Sequence, residues 1–245
     1  MTADRWTRAV REQLGLGRLL PLGEPRDGAW IAEEAAEAVL RRAVRELPGV
    51  RLGVLRIAVA DPERTDEPVV PAPPSALPPG PLRVTADFAA ADLEPLPATA
   101  SRLRTALAVA ATERLGLVVA EVDLRVTALL DEETGDERPA PQPASGRSPR
   151  AAGATGAARE GDEARVAEAA LAVPGVSALT DVLGRAVRLE ERQDGTAALP
   201  RRHARVEIAV RADHRALEVA REVRSAVSDA LTDQPTVAVL VTAVG

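Results

Sequence analysis

The sequence predicts an α+β protein made of two tandem α-β-β-α-β modules. Each would be a three-stranded mixed sheet with two helices on one face, and a disordered linker would join them. Three observations predict this. The chain repeats itself in order: Leu47-Pro48-Gly49-Val50 returns as Val173-Pro174-Gly175-Val176, and Val126-Thr127-Ala128 returns as Val241-Thr242-Ala243. Stretches with period-two apolar alternation lie between stretches with helical spacing. Residues 131–162, rich in Asp, Glu, Pro, Ala, Gly and Ser, separate the halves with almost nothing to bury.

Residues 1–29 read as an apolar arm. A short helix over 5–14 carries Trp6, Val10 and Leu14, and Leu16, Leu19, Leu20 and Leu22 follow among glycines. Such an arm needs a surface to cover, on the first module or on another protein.

The first module spans 30–130. Ile31, Ala35, Ala38 and Val39 form a helical stripe from Trp30 onward, with Glu33, Glu34 and Glu37 in the first turns where the helix dipole favours them. Pro48-Gly49 ends that helix, because proline cannot continue it and glycine accepts positive φ. Leu55, Ile57 and Val59 alternate as a first strand. The Pro-rich stretch 61–80 reads as a long mobile loop. Leu82, Val84, Ala86 and Phe88 make a second strand, and a helix over 99–115 closes at Gly116. Val122, Leu124 and Val126 face one way in a third strand. Arg83, Thr85, Asp87, Glu121, Asp123 and Arg125 face the other, giving a solvated charged face.

The second module spans 163–245. Its parts are a helix over 163–172 capped by Asp162, a strand with Val187 and Leu189, and a strand with Val206, Ile208 and Val210. A helix striped by Ala216, Val219, Ala220, Val223, Val227 and Leu231 follows Asp213, and the last strand runs from Thr236 to Val244. Strands one and two should pair antiparallel, with a helical crossover making two and three parallel, in an order that puts strand one in the middle. With aromatics limited to Trp6, Trp30 and Phe88, the cores rely on aliphatic side chains worth roughly 1.5–3 kcal/mol each, and either module alone should be marginal.

Composition narrows function. A net charge of −6 gives no general attraction for nucleic-acid backbones or anionic lipid. Without cysteine there is no thiolate catalysis and no Cys-ligated zinc. No apolar run is long enough to span a bilayer, and the start lacks a secretory core segment, so the chain reads as cytoplasmic. Every basic side chain other than His203 and His214 is arginine. Both histidines read as exposed residues at element ends, since neither has metal-ligand spacing. Gly15-Leu16-Gly17-Arg18-Leu19-Leu20 lacks the third glycine of a dinucleotide loop and no strand precedes it. Acidic pairs such as Asp61/Glu63 lie in flexible segments, and Ser101, Ser177, Ser225 and Ser228 have no base placed beside them. No catalytic residue, cofactor site or metal site is expected.

The order α-β-β-α-β, the Pro-Gly-Val turn, the helix Val219-Ala220-Arg221-Glu222-Val223-Arg224-Ser225-Ala226-Val227 and the strand Val237 to Val241 resemble the alkaline-shock-protein family of bacterial envelope stress proteins. Residues 163–245, which include Gly184-Arg185-Ala186-Val187-Arg188-Leu189, carry the fuller resemblance. The resemblance implies a non-enzymatic scaffold or adaptor at the cytoplasmic side of the envelope, with protein partners such as a membrane-anchored protein or related chains, and self-association.

Two surfaces are candidates. Ala238, Leu240 and Thr242 should face outward from the last strand with little polarity, and with Trp6, Leu16, Leu19 and Leu20 they form the expected protein-contact set. The alternative is RNA binding on a KH-like module through Arg201, Arg202 and Arg205. That reading lacks a G-x-x-G loop and stacking aromatics, and the basic group Arg41, Arg42 and Arg45 reads as a solvated face.

Overall fold

Strands form where apolar residues alternate, but their pairing reaches well beyond either half of the chain. The computed structural model describes residues 17–130, 161–192 and 201–245, so Trp6, Leu16, the 5–14 helix and the linker before residue 161 lie outside the described residues. The protein is mixed α+β with two sheets. In order come β1 (Leu19–Leu22), a 3-10 turn (Pro25–Asp27), β2 (Ala29–Ala32), α1 (Glu33–Val44), β3 (Val50–Val59) and β4 (Leu82–Ala91). Then come α2 (Leu96–Val109), running into a π-helical turn (Ala110–Leu115), and β5 (Val119–Leu130). The rest is α3 (Asp162–Leu171), β6 (Val176–Leu179), β7 (Val187–Arg192), β8 (Arg201–Val210), α4 (Ala216–Asp229) and β9 (Thr236–Val244).

The first sheet is three-stranded and mixed, in the order β3-β4-β5, with β3–β4 antiparallel and β4–β5 parallel. Strand two is therefore central, not strand one. The reason is apolarity: Leu82, Val84, Ala86 and Phe88 are all fully buried, and the most buried strand takes hydrogen bonds on both edges. Helices α1 and α2 pack on each other and against this sheet. Its other face carries the expected charges, with Arg83 2.5 Å from Glu121 and 3.6 Å from Asp123. Gly49 and Gly175 end equivalent turns after α1 and α3 at φ +71° and +93°, where a Cβ would be strained.

The second sheet departs from expectation. It has six strands, along the path β1-β2-β9-β8-β6 with β7 also on β8. Strand one of this half is split into β6 and β7, both antiparallel to β8, while β8 and β9 are parallel. The arm supplies two more strands. β1 and β2 form a hairpin, and β2 adds in parallel to β9 through Ala29↔Val239, Trp30↔Leu240 and Ile31↔Val241. Trp30 and Ile31 thus belong to a strand rather than to the first helix, which starts at Glu33.

The Pro-rich stretch is also tied down. Leu19 N–H donates to the Ser75 carbonyl at 3.1 Å, Leu77 N–H donates to the Leu19 carbonyl at 2.8 Å, and Val70 is buried. Its prolines fit here because the stretch lies along the outer edge of β1 with only an isolated bridge, Leu19↔Ala76. The consequence is one continuous apolar cluster that includes Leu19, Leu40, Phe88, Leu107, Val206 and Leu240. α1 packs on β9 as well as on β3. The two halves share a core and are not separate beads.

An ion pair locks the hairpin to α4. Arg221 Nε and Nη2 donate to the two Asp27 carboxylate oxygens at 2.9 and 3.0 Å, and Glu24 N–H donates to Asp27 at 2.7 Å. Burial alone would raise the Asp27 pKa, but the Arg221 hydrogen bonds and the Glu24 N–H hold it below the ordinary value. Arg224 adds a hydrogen bond to the Arg26 carbonyl. Arg221→Ala is expected to destabilise the protein by about 2–4 kcal/mol in urea unfolding, because it leaves a buried carboxylate without its cation. Leu240→Ala, at a fully buried position, should cost about 2–5 kcal/mol in the same assay.

Candidate functional site

The described members of the expected contact surface lie inside the protein. Leu19, Leu20, Ala238 and Leu240 are each 0 % exposed and Thr242 is 8 % exposed. β9 is covered on both faces: its alternating residues Val237, Ala238, Val239, Leu240 and Val241 are all buried. Thr242 Oγ1 lies 2.7 Å from Thr180 Oγ1, beside the Ile208 carbonyl. Low polarity on this strand marks interior rather than a docking face.

The arginines do not form a basic patch. Arg202 is paired with Asp162 at 2.7 Å and with Asp233 at 3.3 Å. Exposed Arg201 shares with Arg202 an open pocket of about 500 Å³, lined also by Glu191, Asp233, Gln234, Pro235 and Thr236. The acids there offset the arginines. The Arg205 side chain is 11 % exposed and lies 3.6 Å from Glu207. Strand alternation sends it to the opposite environment from Arg202.

That alternation builds a polar row on one face of the six-stranded sheet. His203, Arg205 and Glu207 point away from Ala204, Val206, Ile208 and Val210, and the register aligns Glu207 with Leu240 and Leu240 with Trp30. His203 is buried rather than exposed, with Nδ1 2.9 Å from Thr236 Oγ1. Burial, reinforced by Arg192, pushes its pKa down. Burial pushes Glu207 up from 4.5 to about 7, against the opposing effects of Leu183 N–H and Arg205. One Glu207 oxygen accepts from Leu183 N–H at 3.0 Å. Its other oxygen and the Trp30 indole N–H are buried without a hydrogen-bond partner among the described residues. His214 stands apart, 2.8 Å from Asp213, which it holds below the ordinary carboxylate range. This row is a buried face of a sheet rather than a cleft.

The open surface is elsewhere. β9 is flanked on both edges, by β8 and β2, whereas no strand among the described residues pairs with the outer edge of β5. β5 runs twelve residues, most of them exposed. Its Val126 and Leu129 are 41 % and 62 % exposed although their register partners Phe88 and Ala90 are fully buried. Val54, at the bulge of β3, is 52 % exposed on the opposite edge strand. Of these, the alternation marks only Val126, as core-facing, and the structure leaves it partly exposed. Among the described residues no cluster of potential metal ligands occurs, and no helix is long and apolar enough to cross a membrane. Comparisons with family models, curated proteins and solved structures return no match to this chain.

Opposite pH slopes should follow from the polar row. Glu207 binds a proton more tightly folded than unfolded, so its contribution is present below its ordinary pKa and is lost as pH rises from 4.5 through about 7, on the order of 3 kcal/mol. His203 binds its proton less tightly when folded, so its contribution is present above 6.5 and is lost as pH falls below that value. Glu207→Gln should therefore turn the wild-type fall in stability between about pH 5 and 8 into a rise, read by urea unfolding across that range.

Proposed function

We propose that this protein is a non-enzymatic scaffold or adaptor acting by protein–protein association at the cytoplasmic side of the cell envelope, through the free end and edge of its three-stranded sheet. The carrying observation is the contrast between the two parallel edge-forming strands. The chain covers β9 with its own hairpin, whereas among the described residues nothing pairs with the outer edge of β5, where Val126 and Leu129 are exposed. A long edge strand with exposed apolar residues is a ready template for another chain, and natural proteins usually blunt such edges. The resemblance of the α-β-β-α-β order and of the α4 and β9 sequences to alkaline-shock proteins supports the envelope setting. The shared core removes the version of this reading in which two independent modules act as beads. This reading accordingly takes β5, not β9, as the working surface.

A fluorescent fusion of the full chain in its native cells tests this. A signal at the cell periphery that becomes diffuse in Val126→Glu/Leu129→Glu, with unchanged thermal unfolding, is expected. A diffuse wild-type signal overturns the envelope role, and a signal on the nucleoid or ribosomes favours RNA binding instead.

A further inference from the structure

The β5 edge carries more than exposure: its sequence is complementary to itself. Two hydrogen bonds establish which backbone groups it presents. Leu82 N–H donates to the Val118 carbonyl at 2.7 Å, so Leu82, Val84 and Ala86 turn their backbone groups to β5, and the register shift after Leu82 makes Glu121, Asp123 and Arg125 their partners. On the far side, Arg104 Nε reaches from α2 to the Val122 carbonyl at 3.2 Å. Val122, Leu124 and Val126 therefore turn their N–H and C=O groups to the open edge, while Glu121, Asp123 and Arg125 use theirs on β4.

A second strand pairing here in antiparallel fashion must set outward-turned residues opposite one another. For two copies of β5, one such register places Leu124 on the dyad. Val122 then faces Val126, and the regular stretch ends at the β5 register shifts beside Ala120 and Thr127. Asp123 faces Arg125 twice, at non-hydrogen-bonded positions where side chains approach closest. Sliding the pairing by one step either way sets Asp123 against Asp123 or Arg125 against Arg125. The dyad is perpendicular to the sheet, so helices of both copies stay on one face and the charged faces are continuous.

We infer that two copies of this chain associate through β5, antiparallel and centred on Leu124, into one continuous six-stranded sheet. This rests on the association reading above and supplies its partner. Pairing covers the exposed Val126 with Val122, and it satisfies the outward backbone groups of Val122, Leu124 and Val126. Arg104 occupies the Val122 carbonyl until the Val126 N–H of the second copy replaces it, so its side chain acts as a competitor for the edge.

Sedimentation equilibrium of the full chain, with circular dichroism to verify folding, tests the inference. A dimer is expected for the wild type. D123R and R125D, each at an exposed position, should weaken it at least about tenfold, because each single reversal replaces two attractive pairs by two repulsive ones. The swap D123R/R125D should restore it. The chain has no cysteine, so L124C introduces a single thiol at the dyad, and it should oxidise to a disulfide-linked dimer faster than D123C or R125C. A wild type that stays monomeric up to about millimolar concentration overturns self-pairing. A dimer indifferent to D123R and R125D overturns this edge, and a charge-sensitive dimer whose fastest disulfide is not at Leu124 overturns the register. If the chain is monomeric while Val126→Glu/Leu129→Glu still disperses the cellular signal, self-pairing fails and the association reading stands with a different partner.

Discussion

The parallel pairing of β2 with β9 is the constraint on which the rest of the structure depends. It draws the N-terminal hairpin into the second half's sheet, and with it the start of α1, which follows β2 without a loop. α1 must then serve two sheets, packing on β9 and on β3. The Pro-rich stretch between β3 and β4 returns to β1, and Asp27 reaches Arg221 of α4. Each link is modest alone. Together they fuse two aliphatic, aromatic-poor halves into one apolar cluster, which is how marginal units gain buried area.

The same pairing explains the distribution of polar groups. With β9 interior on both faces, the neighbouring face of β8 loses its solvent, and His203 and Glu207 become buried and Arg205 mostly so, on an alternation that elsewhere yields a hydrated surface. In the three-stranded sheet the corresponding face stays wet, and Arg83, Glu121 and Asp123 form exposed ion pairs there. One repeated sequence pattern thus meets two environments. The difference comes from what packs beside the sheet, not from the strand itself.

Local periodicity carried much of the fold. The stripe Ala216, Val219, Ala220, Val223 and Val227 is buried along α4 as its spacing indicates, with Leu231 buried just past its end, and β9 spans the residues its alternation marks. What failed was long-range. Trp30 and Ile31 continue a helical stripe as well as they fit a strand, and only the edge of β9 decides between the two. Leu240 looked like a surface because nothing nearby in sequence covers it. The stretch 61–80 looked free because prolines cannot join a ladder, yet they can lie along a hairpin's edge. For the candidate surface, the alternation of β5 was legible, but that its outer edge pairs with no strand among the described residues becomes visible only when β9 is seen to be clothed.

The hairpin's pairing has a kinetic corollary. Ala29 and its register partner Val239 are separated by 239 − 29 = 210 residues. At ribosomal speeds of about 5–20 residues per second, β2 emerges roughly 10–40 s before the strand it needs. During that interval Leu19, Leu20, Trp30 and Ile31 have no sheet to enter. Nascent chains are thereby exposed to mispairing in a way the finished molecule is not, and the early leucines make the arm a natural stop for a chaperone that holds apolar segments.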